Sequence, residues 1–292
     1  MEDIDFNSQT RKKSRRGEIW RRMKKNRIAM VGLFIFSAIL LLTISADLIT
    51  PYDKAITGSL ADRLTPPSSS HWFGTDNYGR DIFARILHAS RRSLVMGIGA
   101  VLVGITLGGL LGACAGYYGG RVDSVIMRII DTVICIPFML LVLAIVAALG
   151  PGLVNVLIAL MISMIPTYTR VIRSAILTVV GQDYIEAAKS CGTPNRWIIL
   201  KHVLPNAIGP IIVQATMTVG TMIIWAASTS FLGMGIQPPE PEWGAMLAES
   251  KDYMLTAPYM VMFPGFAIAL TALSLNLMGD GLRDALDPRL KD

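Results

Sequence analysis

Five stretches of the chain carry no Asp, Glu, Lys or Arg: Ile28–Ala46, Ser93–Gly120, Thr132–Thr169, Val203–Pro239 and Tyr253–Met278. A helix needs roughly 20 apolar residues to cross the hydrocarbon of a bilayer, and every stretch reaches about that length. The third is long enough for two crossings, and Gly150-Pro151-Gly152 interrupts it near the middle. The pattern predicts six membrane-spanning helices, at approximately 28–48, 93–117, 132–149, 153–172, 207–228 and 259–278. Pro137, Pro166, Pro210 and Pro264 fall inside these spans. Each removes a backbone donor and favours a kink.

Composition supports the membrane reading. The 292 residues are 52% hydrophobic and 16% charged, against about 25% charged for an ordinary soluble domain. The first apolar stretch, 19 residues long, follows a basic segment. It exceeds the roughly 7–15 apolar residues of a signal peptide and is expected to be a retained anchor. Ten Lys or Arg lie between Arg11 and Arg27. By the positive-inside rule this end is expected in the cytoplasm. Six crossings then place loops 118–131, 173–206 and 279–292 inside, and 49–92, 150–152 and 229–258 outside. Beside a span, the basic segment serves orientation and contact with anionic lipid. The net charge of +6 calls for no nucleic acid.

The charges that are missing narrow the function. Asp47 and Asp131 sit at span edges, and no ionisable residue lies mid-span. Buried ionisable groups mark proton relays, so a proton-driven carrier is disfavoured, while a sodium site built from carbonyls and hydroxyls stays open. A paired nucleophile and base, or metal ligands, at membrane depth would mark an intramembrane enzyme, and none appears. Cys114, Cys135 and Cys191 give neither a disulfide framework nor metal spacing, and His71, His88 and His202 are scattered. They are taken as structural or surface residues.

Two patterns concern packing. Gly104, Gly108, Gly112 and Gly116, with Ala100 one step earlier, lie four apart on one helix face. Small residues at this spacing permit close backbone approach in lipid, and the contact is expected within the chain. In the long loop before it, Asp81 and Arg85 can pair four apart. Ile82, Phe83, Ile86 and Leu87 form an apolar face opposite Arg85 and Arg92. The pattern predicts an interfacial amphipathic helix leading into the second span. A later loop holds Pro238, Pro239, Pro241 and Trp243. It reads as a stiff segment that could contact a binding protein, act as a plug, or cap the bundle.

Residues 183–205 form a polar island between spans. Asp183 is a plausible N-cap with Glu186 three residues on. Gly192 permits a sharp reversal. Thr193 can cap a second short helix with Pro194 in its first turn, and Pro205 is expected to stop it. A helix–turn–helix held outside the bilayer needs a partner. The chain contains no Gly-x-x-x-x-Gly-Lys-[Ser/Thr] phosphate loop, so a motor for active transport is expected on another polypeptide.

The island resembles the EAA loop of ABC-importer membrane subunits. Glu186, Ala187, Ala188, Gly192, Leu204 and Pro205 match at the family spacing, and His202 departs where an aliphatic residue is usual. The loop string carrying Gly74, Asp76, Gly79, Arg80 and Asp81 resembles the C-type permease of dipeptide and oligopeptide importers. So do Phe231–Gly244 and Asn276–Arg289. The resemblance runs from about residue 20 to the C-terminus.

It implies an all-α integral membrane protein with six transmembrane helices and the type I ABC importer permease fold, its core made of the last five. The parts are then a basic segment (1–27), a first transmembrane helix (28–48), an external loop with its interfacial helix (49–92) and the permease core (93–292) with coupling loop 183–205. It further implies a second homologous permease subunit, two ATPase subunits holding ATP and Mg, and an extracytoplasmic solute-binding protein, in a bacterial inner membrane. No cofactor is expected on this chain, and no residue is assigned to cargo. Dipeptides or oligopeptides are the expected solutes. A nickel or metal-chelate importer is the alternative within the family, and an ion-coupled carrier or channel the alternative outside it.

Overall fold

The computed structural model describes residues 15–286; residues 1–14 of the basic segment, and 287–292 of the Asn276–Arg289 string and the C-terminus, lie outside the described residues. Among the described residues every regular element is helical, apart from one isolated antiparallel bridge between Thr75 and Asp81. Five helices are long and apolar enough to cross a membrane: Arg27–Ile44, Ile82–Tyr118, Leu153–Val180, Asn195–Phe231 and Tyr259–Leu286. Gly120–Ile134 and Phe138–Leu149 form a sixth candidate, bent by 83° at the intervening break.

The kink expected from Pro137 within the span over 132–149 is a full break between two helices. Pro137 has no N–H, and its ring would strike the carbonyl four residues earlier in a continuing helix. Residues 120–131, expected as a loop, are helical as well. Their acids are neutralised on the neighbouring span: Arg173 grips Asp123 through two bonds of 2.5 Å, and Arg170 reaches Asp131 at 2.6 Å. The same pairs explain why that neighbour runs to Val180 rather than ending near 172. A charge-free criterion stops at the first arginine, whereas the helix continues to where its arginines find carboxylates.

The spans alternate in direction between two faces, named here the island face and the loop face. On the island face Asn26 caps the first span by accepting from the N–H groups of Ile28 and Ala29. Its amide also donates to Asp284 near the end of the last span, at 3.1 Å. On the loop face Arg91 donates to the Thr43 and Ile44 carbonyls.

The glycine ladder packs within the chain. A Cβ on Gly104 would meet Met164 Cβ and the Tyr168 ring, on Gly108 the Ile165 carbonyl, on Gly112 the Thr169 carbonyl and on Gly116 the Ile176 side chain, so the contacts move from Met164 to Ile176 along the ladder. The contacted residues rise in step, so the second span and Leu153–Val180 run parallel and touch nearly backbone to backbone. A π-helical turn over Gly104–Gly108 sits inside this contact.

Candidate functional site

The island is built from a short helix and a long one. Asp183–Ser190 is helical, and its N-cap is Gln182 rather than Asp183, with no side-chain cap bond. Asp183 and Glu186 instead occupy the first turn, where negative charge suits the helix dipole. The turn that follows is a Schellman motif: Thr193 N–H donates to the Ala188 carbonyl at 3.2 Å and Gly192 N–H to that of Lys189 at 2.9 Å. It needs the left-handed backbone of Gly192, whose φ is +75°. Thr193 is thus spent on closing the first helix, and Pro194 is the N-cap of the second.

Pro205 does not stop that second helix. A π-helical segment, Ile198–Val203, joins Asn195–Trp197 to Leu204–Phe231. The wider π turn leaves room for the proline ring where a regular turn would clash. Leu204 and Pro205 therefore lie inside one helix with the fifth span.

Ile185, Ile198 and Val203 are fully buried and fasten the island to the core. Tyr117, ending the second span, donates its hydroxyl to Asn195 Oδ1 at 2.8 Å. The outer surface is open. Glu186, Ala187 and Gly192 are exposed and Ala188 is half-buried. Tyr184, Trp197 and Leu200 expose apolar bulk beside them. Large apolar groups clustered on a polar surface mark a docking face.

On the loop face, Gly74, Asp76, Gly79, Arg80 and Asp81 come together with two residues that local reading misplaced or missed. Arg80 Nε is 2.6 Å from Asp76 Oδ2, and its terminal nitrogen is 2.5 Å from Glu249 Oε2. Arg85 reaches the same two carboxylates at 3.5 and 3.0 Å. Two guanidinium groups thus face two carboxylates, all nearly sealed from solvent. Asp76 Oδ1 also accepts from the N–H groups of Tyr78 and Arg80. Gly74 and Gly79 adopt φ of +78° and +75°, and at both a Cβ would strike neighbouring backbone.

Asp81 does not pair with the Arg85 side chain. It caps the second span by accepting from Ala84 N–H at 2.8 Å and bonds His71 at the same distance. The interfacial helix expected here is instead the first turns of the helix that begins at Ile82, and Arg85 is 1% exposed. Helical period assigned Arg85 to the polar face, but carboxylates from distant segments fold over it. Glu249 carries no local cue. The only sequence signal is the need for counter-charges near two arginines with apolar neighbours.

The segment after the fifth span centres on Glu242, also unforeseen. It is fully buried and caps Trp243–Ser250, accepting from the N–H groups of Gly244 and Ala245 at 2.9 and 2.8 Å. Ser93 of the second span donates to it at 3.2 Å. Burial pushes its carboxyl above the ordinary glutamate value, and the two backbone donors pull against that rise. Trp243 donates its indole N–H to the Ile86 carbonyl. Trp243 is therefore packed inside the protein. Among the described residues no group of three His, Cys, Asp or Glu converges as a metal site.

A family model described as binding-protein-dependent transport system inner membrane component matches residues 104–292. The chain belongs to this family. A second model, the N-terminal TM domain of oligopeptide transport permease C, matches residues 14–67. The permease is 48% identical over 274 residues to a dipeptide transport system permease protein of Alkalihalophilus pseudofirmus, covering 94% of this chain and 90% of that one. It is 48% identical over 278 residues to a glutathione transport system permease protein of Pectobacterium atrosepticum, covering 94% and 91%. A chain of the MetNI methionine ABC transporter in an inward-facing conformation superposes with a TM-score of 0.58 at 19% identity, over 70% of the permease and 98% of that chain. The fold is the type I ABC importer permease fold, and the protein is a multi-pass permease subunit of an ABC importer.

Proposed function

We propose that this permease forms half of a translocation path for dipeptides or short oligopeptides. A solute-binding protein delivers them at the loop face, and two ATPase subunits drive transport from the island face. A second, homologous permease supplies the other half. ATP and Mg are held by the ATPase subunits, and this chain contributes no catalytic residue. The island face is then cytoplasmic, in accord with the basic residues before the first span. The permease relatives of dipeptide and glutathione systems support a peptide-like cargo.

The observation that carries the coupling role is the continuity of the island with the fifth span. Glu186, Ala187, Ala188 and Gly192 present a docking knob, and Leu204 and Pro205 sit within the helix that leads from it across the bundle. Closure of an ATPase pair around the knob would tilt that helix as a rigid body. Alternating access by rocking of helices around a central site follows the general logic of transporters.

The test is to purify the permease from native membranes with its partners, reconstitute the complex in vesicles, and add binding protein and dipeptides. The expected result is peptide uptake together with peptide-stimulated ATP hydrolysis. A folded, solitary chain without hydrolysis would overturn the reading.

A further inference from the structure

On the loop face, the first span, the start of the second and the last span leave an apolar slot of about 360 Å³ between them. Phe73, Phe83, Trp243, Phe263, Phe266 and Leu270 are among its walls. Its size is at the lower end of ligand-holding pockets, roughly 300–1,000 Å³. A second hollow of about 220 Å³ adjoins it, with Phe83 lining both. This one is polar as well as apolar, and Lys54, Ser70, Trp72 and Asp81 line it.

Position restricts what can enter. The first span is the least enclosed of the five long helices: 17% of its apolar window is buried, against 50% for Leu153–Val180. The slot therefore opens at the periphery of the bundle, toward acyl chains. An apolar cavity does not hold water.

The polar hollow restricts the head group. The ammonium of Lys54 makes no ion pair among the described residues. Asp81 spends one lone pair of Oδ1 on Ala84 N–H and one of Oδ2 on His71. An ionised carboxylate has about four such sites, so two remain. Trp72 is exposed beside them, as aromatic residues are at the head-group level. The mouth thus offers a cation and a hydroxyl for a phosphate, and a carboxylate for an ammonium.

We propose that the two hollows form one site for a phosphatidylethanolamine molecule of the bilayer. An acyl chain fills the aromatic slot, the phosphate bonds Lys54 and Ser70, and the ethanolamine ammonium bonds Asp81. The lipid wedges the first and last spans against the loop that carries the Asp76–Arg80 clamp.

The test uses the purified, delipidated importer complex. Phosphatidylethanolamine, phosphatidylglycerol and phosphatidylcholine with identical acyl chains are added, and the Tm is read for each. Phosphatidylethanolamine is expected to raise the Tm by about 5 °C at saturating levels, and the other two by clearly less. Lys54→Ala removes a partner of the phosphate that all three lipids share, and is expected to shrink the rise for each while phosphatidylethanolamine stays ahead. Ala267→Phe fills the slot and is expected to erase the rise for all three lipids. Ser90→Leu, whose lost hydroxyl bonds only the Leu87 carbonyl, is a second filling variant in case the first misfolds. Native mass spectrometry of the wild type is expected to retain one phosphatidylethanolamine per permease, lost in the folded filling variant. Equal shifts for all three lipids in the wild type, or undiminished shifts in Lys54→Ala, would overturn the proposal. So would retention of a different head group, or lipid gains that survive in both filling variants.

Discussion

Arg85 and Glu249 stand 164 residues apart in sequence and bond at 3.0 Å beneath the loop face. Glu249 Oε2 also takes Arg80, so one carboxylate oxygen ties the first long loop to the segment after the fifth span. Removing one partner of a buried pair costs more than the pair contributes, because the remaining charge is stranded. Glu249→Gln leaves two guanidinium groups facing Asp76 alone. It is expected to cost about 3–5 kcal/mol and to lower the Tm by roughly 10 °C. Asp47→Asn, which breaks the exposed pair with Arg91, is expected to leave the Tm unchanged within error. Thermal unfolding in mild detergent checks both, and a near-native Tm for Glu249→Gln would contradict the clamp.

Gly192 separates conformational from packing cost. Nothing lies within 4 Å of a Cβ built there, and φ is +75°. Gly192→Ala should cost about 1 kcal/mol of local backbone strain, and Gly192→Asn less, because Asn tolerates this region. Global Tm should barely move. Peptide transported per ATP hydrolysed should fall for Gly192→Ala and recover in part for Gly192→Asn. Glu186→Lys should also lower that ratio while insertion stays normal. Unchanged ratios in all three variants would rule out a coupling role for the island.

A ladder glycine and a glycine just off the ladder differ in expected cost. A Cβ on Gly112 would lie 2.5 Å from the Thr169 carbonyl oxygen and 3.0 Å from Arg173 N, both backbone atoms that cannot yield. On Gly109 it would meet only the tip of the Ile172 side chain, at 3.2 Å. Gly112→Ala is expected to destabilise by about 1–3 kcal/mol, and Gly109→Ala by far less. Equal Tm values for the two variants would show that the contact is looser than described.

Glu242 predicts a pH dependence of definite sign. Burial raises its carboxyl above the ordinary glutamate value in the folded protein. Between the unfolded and folded values the native state therefore binds more protons, and stability falls as pH rises through that window. Glu242→Gln remains neutral and lacks this slope. The Tm of wild type minus that of Glu242→Gln, followed from pH 5 to 8, should decrease with rising pH. A flat or rising difference would mean that the carboxyl is ionised in its cavity.

Local features were readable in the sequence because their causes are local. The charge-free runs located the membrane helices, the four-residue glycine spacing identified a contact face, and Gly192 marked a reversal. Elements that depend on distant partners were not. Arg85 looks solvent-facing by period alone, since Asp76 and Glu249 reach it from separate segments. Glu242 lies among prolines and gives no sign that Ser93 will meet it. Proline was read by one rule, although its effect depends on the preceding turn. Pro137 breaks its helix, whereas Pro205 is carried through by a π turn. The island caps were each misplaced by one residue, because Thr193 serves the helix before it rather than the one after.

The unbroken helix from Asn195 to Phe231 bears on how hybrid permeases should be spliced. Leu204-Pro205 looks like a natural seam between a soluble cassette and a membrane cassette, but it lies within a rod of about 55 Å. One residue gained or lost there would rotate everything downstream by about 100°, turning the fifth span's buried face outward. Gly192 is the better suture. There the chain leaves one helix and starts another, and each donor fragment keeps its own rotational phase.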